Sequence, residues 1–172
     1  LKEARDHWNS FWFDVDDSAV SSVALFRIAF GLVMGFFFMT RPQDVGFLYT
    51  DGGVMPRTYL ATIEAYRFNW TWLKYTDSLF LLQSLHALLI LSCFTLAIGF
   101  LPRISAVVSY LLALNFLHRD PAALFGVDTI GMFFFFYLIF SRAGERYSVA
   151  ALKKRPKPSK ESWQALIAHM AY

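Results

Sequence analysis

The sequence has 172 residues, of which 56% are hydrophobic and 17% are charged. Soluble domains average about 45–50% apolar and about 25% charged residues, so this composition argues against an ordinary soluble fold. The net charge is +3, and no basic run is interleaved with a nucleic-acid-binding motif, which excludes nucleic acid as a partner.

The apolar residues form long runs, and a helix that crosses a bilayer needs about 20 of them. The first run predicts a span over residues 18–39, and a second run predicts one over 79–101. A tight turn at Pro102-Arg103 precedes a shorter third span at 104–117, and a fourth is predicted at 122–140. We therefore expect an all-α fold, a polytopic helical membrane protein with four spans and the start of a fifth.

Two glycines, Gly31 and Gly35, stand four residues apart in the first predicted span. Pairs of small residues at this spacing let two membrane helices approach closely. We expect the first span to pack against a neighbour on this face.

The segments around the spans complete the predicted organisation. Residues 1–17 form a cytoplasmic or interfacial N-terminal segment, and the membrane domain covers 18–141 with an interfacial loop at 40–78. A basic cytoplasmic linker follows at 142–161, and 162–172 begin a fifth apolar stretch. That stretch is too short to span a bilayer, so we expect the sequence to stop inside a helix.

The loop at 40–78 opens with turn-forming residues at Asp51-Gly52-Gly53 and then becomes aromatic. Its rings are Tyr59, Tyr66, Phe68, Trp70, Trp72 and Tyr75. Because Trp and Tyr favour the headgroup level, the loop is predicted to lie on the membrane surface, with a short amphipathic helix. An ordinary loop outside the membrane is an equal alternative.

The distribution of Lys and Arg predicts the orientation, since basic residues accumulate on the cytoplasmic side. One side would hold Lys2, Arg5, Arg103, Arg142, Arg146, Lys153, Lys154, Arg155, Lys157 and Lys160. The other side would hold only Arg41, Arg57, Arg67, Lys74 and Arg119. The N-terminus is therefore predicted inside and the aromatic loop outside. The basic linker is either a solvated topology signal or a contact for membrane lipids.

Two charged residues interrupt the predicted spans, and ionisable groups in hydrocarbon usually mark function. At 1.5 Å per residue, Arg27 lies about 14 Å from the inner face and Asp128 about 9 Å from the outer face. A long arginine side chain can nearly reach across the difference in depth that remains between the two residues. We expect Arg27 and Asp128 to belong to one polar core that binds a ligand. The alternatives are a structural pair, or an Arg27 that caps the carbonyls of a neighbouring helix.

Two histidines, His86 and His118, lie towards the outer ends of the second and third spans. Together with Asp128 they predict an outward-facing polar pocket, in which Arg27 would complete the candidate set. Two histidines on different helices are also a ligand pattern for haem or a metal. No paired-ligand spacing supports either group, so no metal site is predicted.

Several segments resemble one known family. Residues 24–31 (ALFRIAFG), 48–57 (LYTDGGVMPR), 99–103 (GFLPR), 126–128 (GVD) and 146–149 (RYSV) occur in its order and spacing. They resemble the vitamin K-dependent gamma-carboxylase-like family, whose membrane part is called the HTTM domain. The resemblance covers nearly the whole sequence, as its N-terminal part, and places it in a bacterial inner membrane.

The resemblance implies a helical membrane domain with its pocket on the non-cytoplasmic side and a quinone-like cofactor. The animal enzyme carboxylates protein glutamate with reduced vitamin K, oxygen and carbon dioxide. Its catalytic lysine lies in a fifth helix, beyond residue 172, and all six lysines here fall in aqueous segments. It also has a histidine near the position of Asp128. Carboxylation is therefore not carried over to this sequence.

Two functions follow as expectations. The first is a membrane enzyme, or part of one, that modifies a lipophilic or membrane-delivered substrate with a quinone-like cofactor. Arg27, His86, His118 and Asp128 would line its polar core. The second is a non-catalytic subunit or scaffold that docks on a larger membrane protein complex.

Overall fold

The computed structural model describes residues 17–54, 56–62, 70–119 and 126–152, and every element in these ranges is helical. In chain order the elements are α1 (Asp17–Met39), α2 (Val45–Tyr49), α3 (Arg57–Leu60), a 3-10 turn (Leu73–Tyr75), α4 (Leu79–Ile98), α5 (Pro102–Arg119), α6 (Gly126–Phe140) and α7 (Val149–Leu152). The all-helical prediction is confirmed for the described residues.

The four long helices form an antiparallel bundle. Helix α1 packs on α4, α4 on α5, and α5 on α6. The rings of Phe30 on α1 and Phe135 on α6 lie 4.9 Å apart between centroids, which closes the bundle. One end, called the turn end below, carries the α4–α5 turn and residues 141–148. The opposite end, called the loop end, carries residues 40–54, 56–62 and 70–78.

Helix α1 approaches α4 so closely that a side chain would not fit between them. A Cβ added to Gly31 would lie 2.8 Å from the backbone nitrogen of Ala97 and 2.9 Å from the carbonyl oxygen of Cys93. A Cβ on Gly35 would lie 3.0 Å from the ring of Phe94. The predicted close packing at this glycine pair is confirmed.

Hydroxyl groups join α4 to α5 inside the bundle. Ser92 and Ser109 are hydrogen-bonded at 2.8 Å, and Thr95 and Ser105 at 3.0 Å. All but Thr95 are buried. The serines within the third predicted span thus face another helix and not the outside of the bundle.

The turn between α4 and α5 lies three residues earlier than predicted. Helix α4 ends at Ile98, and Gly99 closes it in the left-handed conformation, with φ 78°. Leu101 also has a positive φ, 48°. Pro102 is the first residue of α5, a position where proline fits because its missing N–H would have no helical partner. The predicted turn at Pro102-Arg103 is therefore wrong.

Two helices are long and apolar enough to cross a membrane, Val20–Met39 and Leu79–Ile98. Less than half of each is buried in the bundle, so much of their apolar surface points outward. Exposed side chains on these faces include Val33, Phe36, Phe80 and Leu91. Such surface is typical of a protein that contacts lipid or another protein.

Some predictions fall outside the described residues. These are nearly all of the N-terminal segment, residues 63–69 of the loop with Tyr66 and Phe68, the start of the fourth predicted span at 122–125, residues 153–161 of the basic linker and the fifth stretch. Within the described part of the loop, α2, α3 and the 3-10 turn are all short.

Replacing Gly31 with leucine is expected to destabilise the protein. The new side chain would meet the backbone of α4, which cannot rotate aside, and overpacking of this kind costs about 1–3 kcal/mol. Unfolding of the detergent-solubilised protein, followed by circular dichroism, measures the loss. Gly126→Ala is the matched control, because nothing lies within 4 Å of its added Cβ. Equal stability of the two variants would contradict the packing described here.

Candidate functional site

A cavity lies inside the bundle near the loop end, and all four long helices contribute to its wall. Its polar lining consists of Arg41, Tyr49, His86 and Asp128. Its apolar lining consists of Met34, Phe38, Leu89, Ala113, Phe116, Leu117, Met132 and Phe135. We call it the His86 cavity. Its make-up, mostly apolar with a few convergent polar groups, is typical of a ligand site.

Arg41 and Asp128 form an ion pair at the edge of this cavity. The Nη1 atom of Arg41 lies 3.3 Å from Oδ1 and 3.4 Å from Oδ2 of Asp128, and the two side chains are only 17% and 11% exposed. The guanidinium also lies 4.2 Å from the ring centroid of Phe37. Asp128 belongs to the first turn of α6, where the helix dipole favours a carboxylate. The pair therefore fixes the end of α1 to the start of α6.

His86 is buried between two aromatic rings. Its ring lies edge-on to Phe38 and Phe116, at 6.2 and 5.6 Å between centroids. Within the described part of the chain the imidazole makes no hydrogen bond, so its nitrogens are available to a molecule in the cavity. A neutral imidazole offers one donor and one acceptor. With the Arg41 donors and the Asp128 acceptor, the cavity suits a small polar head with an apolar body.

The cavity is small in this conformation. Its volume is about 20 Å³, which is room for a single water molecule. A larger ligand would enter only after one wall moves outward.

Arg27 does not belong to this cavity. It is fully buried at the turn end, where Nη2 donates to the carbonyl oxygen of Tyr147 and Nη1 lies beside Gly99. The expected polar core of Arg27 with Asp128 is therefore wrong. Side chains of a helix point back towards its N-terminus, so Arg27 reaches towards the start of α1 and away from Asp128. At the C-terminal end of α4 its charge complements the helix dipole.

His118 is also separate from the cavity. Its Nδ1–H donates to the carbonyl oxygen of Trp70 at 3.1 Å, which ties the aromatic part of the loop to the end of α5. Of the four predicted residues, the structure thus brings together only His86 and Asp128.

The loop residues Asp51 and Arg57 form a second polar cluster at the loop end. The Nε atom of Arg57 donates to both carboxylate oxygens of Asp51, at 2.9 and 2.8 Å, and its backbone N–H donates to Oδ1 at 3.0 Å. These hydrogen bonds lower the pKa of Asp51 from 3.8 to about 2. The Asp51 N–H in turn donates to Asp77, just before α4.

Arg119 connects this cluster to the bundle. Its side chain is fully buried, and its Nη2 donates to the carbonyl oxygen of Tyr49 at 3.0 Å and lies 3.9 Å from Oδ1 of Asp51. The ring of Tyr49 packs on Phe116, at 5.0 Å between centroids. The loop is thereby held over the cavity, with Tyr49 as part of the wall.

Sequence reasoning missed Arg41 and Arg119 as site residues. Both are among the basic residues at the outer ends of the predicted spans. An arginine at such a position is ordinarily interpreted as a residue that flanks a membrane span. The direction of successive spans was the available signal. Because successive spans alternate in direction, the end of the first span and the start of the fourth lie at the same end of the bundle.

No protein-family model, curated protein or solved structure matches this sequence. The class of protein is therefore defined by its own fold and site. It is an all-helical bundle with two candidate membrane spans and a polar cavity at one end.

A double-mutant cycle tests the ion pair at the cavity. Arg41→Gln and Asp128→Asn should each destabilise the protein, because each removes the opposite charge from a poorly solvated ion pair. The double variant should lose less than the sum, with a coupling of about 0.5–3 kcal/mol in unfolding measurements. The same cycle on Arg142 and Glu145 is the control, where a smaller coupling is expected because the Glu145 carboxylate is 40% exposed. Additive losses at Arg41 and Asp128 would argue against the pair.

The Asp51 cluster gives a pH-dependent stability. Since the folded pKa lies below 3.8, the unfolded chain binds more protons in that range, and stability falls as pH drops. The contribution is complete above pH 3.8 and disappears as pH falls through about 2. The melting temperatures of the wild type and Asp51→Asn should therefore differ at neutral pH and converge in acid. A difference that stays constant with pH would contradict this assignment.

Proposed function

We propose that the four long helices are four membrane spans, with the N-terminus in the cytoplasm of a bacterial inner membrane. Helix α6 supports this with exposed Ile130, Phe133 and Phe136, although its described part is only 15 residues long. The turn end carries Arg103, Arg142 and Arg146, and the positive-inside rule places such an end in the cytoplasm. The His86 cavity then faces the opposite side.

We propose further that the chain is related to the gamma-carboxylase-like HTTM proteins. The contacts among the resembling segments support this. Arg27 of the first segment donates to Tyr147 of the last and lies beside Gly99 of the turn segment. Asp51 and Arg57 of the loop segment bind each other, and Asp128 of the fourth segment binds Arg41, which lies outside the segments.

The proposed function is binding of a lipophilic, quinone-like molecule, as part of a membrane enzyme that acts on a lipophilic or membrane-delivered substrate. The observation that carries it is the His86 cavity. An imidazole and an ion pair meet there among aromatic and aliphatic walls. Arg41 and His86 would donate to the carbonyl oxygens of the ring, and the walls would cover its apolar body. The quinone would supply redox chemistry, while these side chains bind and orient it.

One observation favours a second function, a non-catalytic subunit or scaffold of a larger membrane complex. The cavity in its closed form holds no more than a water molecule, and a subunit needs no larger space. Its exposed apolar helix faces would then pack against partner helices as well as lipid.

The test is equilibrium dialysis of a short-tailed naphthoquinone against the chain in lipid nanodiscs. Saturable binding is expected, and Asp128→Asn and His86→Gln should each weaken it about tenfold. The His86 variant takes away the imidazole donor, and the Asp128 variant breaks the ion pair that holds the Arg41 guanidinium at the cavity.

His118→Gln is the matched control, since this histidine lies at the same end but outside the cavity and should leave binding unchanged. Non-saturable partition of the quinone, equal in all variants, would reject the binding proposal. A stable partner that co-purifies with the chain would then support the subunit function.

A further inference from the structure

A groove on the outside of the loop end is separate from the His86 cavity. Its volume is about 410 Å³, and the described residues that line it are Trp70, Thr71, Trp72, Lys74 and Tyr75. None of these residues lines the cavity. The groove and the His86 cavity therefore share no lining residue.

The groove is held firmly by the end of α5. The Thr71 hydroxyl donates to the carbonyl oxygen of Asn115, and the Trp72 N–H donates to the Asn115 side-chain oxygen, both at 2.9 Å. His118 binds the Trp70 carbonyl oxygen. Thr71, in the lining, and Leu73 are both buried. The aromatic rings thus stand on a fixed backbone, and little ordering is needed when a ligand binds.

The rings and the charge of the groove face outward. Trp70, Trp72 and Tyr75 are 61%, 54% and 78% exposed. The ammonium group of Lys74 lies 5.2 Å from the Tyr75 ring centroid and forms no ion pair with the described part of the chain. The indole N–H groups of Trp70 and Trp72 likewise donate to no group in the described ranges. One cation and two neutral donors therefore border an apolar floor.

The groove lies where an apolar span begins. Tyr75 is followed, after three residues, by the start of α4 at Leu79, one of the two helices able to cross a membrane. Leu79, Phe80 and Leu81 are all exposed on its first turn. In a bilayer this arrangement sets the tryptophan and tyrosine rings at headgroup level, which such side chains favour.

We infer that this groove binds the phosphate ester of a phospholipid headgroup. Lys74 and the indole N–H groups donate to the phosphate oxygens, and the rings cover the glycerol ester region. The alternative ligand for aromatic rings, a quaternary ammonium group, is disfavoured because the Lys74 charge lies in the same groove. This inference goes beyond the proposed quinone function and does not depend on it.

The test uses the full chain in detergent, titrated with dihexanoyl phosphatidylglycerol while tryptophan fluorescence is recorded. Lys74→Gln should weaken binding about tenfold, because a hydrogen bond to a charged group is lost. Trp72→Leu should weaken it as well and should remove most of the fluorescence change. Arg103→Gln, an exposed basic residue at the turn end, and Phe47→Leu, an exposed ring elsewhere at the loop end, are the matched controls.

Two further ligands identify what is recognised. Dihexanoylglycerol, which has no phosphate, should bind much more weakly, and inorganic phosphate should compete only at far higher concentration. Equal binding of dihexanoylglycerol would overturn the inference, because the groove would then be only an apolar contact. Equal binding of inorganic phosphate would overturn its lipid part. Unchanged binding by both Lys74→Gln and Trp72→Leu would overturn it entirely.

Discussion

Arginines with little or no exposure join the ends of this bundle, and the rest of the structure depends on them. A guanidinium in an apolar interior is costly unless carbonyl or carboxylate oxygens surround it. Arg27 meets the Tyr147 carbonyl at the turn end, while Arg119 meets the Tyr49 carbonyl and Arg41 meets Asp128 at the loop end. Each contact joins segments far apart in the sequence. Apolar packing alone holds helices side by side, whereas these contacts fix which loop covers which end.

The same constraint explains why the middle of the bundle is so different from its ends. Between the arginines, α1 and α6 meet through phenylalanine rings such as Phe30 and Phe135. Helices α4 and α5 meet through small hydroxyl side chains, which satisfy one another without a charge. The hydroxyl groups between α4 and α5 are thus paired inside, and much of the apolar surface of α1 and α4 points outward. That arrangement suits an environment of lipid, where outward apolar side chains carry no penalty.

The sequence predicts the helices well and the site only in part, for physical reasons. Apolar runs locate α1 and α4 because burial in lipid or core requires them. Depth alone misplaced Arg27, because depth says nothing of the direction in which a side chain points along its helix. Gly99 and Leu101, and not Pro102, form the turn, since the left-handed conformation ends α4 before proline begins α5. The Arg119–Tyr49 contact spans 70 residues, and no local pattern encodes it.

The cavity and the loop above it are mechanically connected through Tyr49. Its ring is part of the cavity wall, its carbonyl oxygen binds Arg119, and Asp51 follows two residues later. The other walls are long helices packed along their length, whereas α2 has only five residues. Local opening occurs first where few buried contacts are lost. Of the cavity walls, we therefore expect α2 to open first, and the Asp51–Arg57 cluster lies at the edge of that wall.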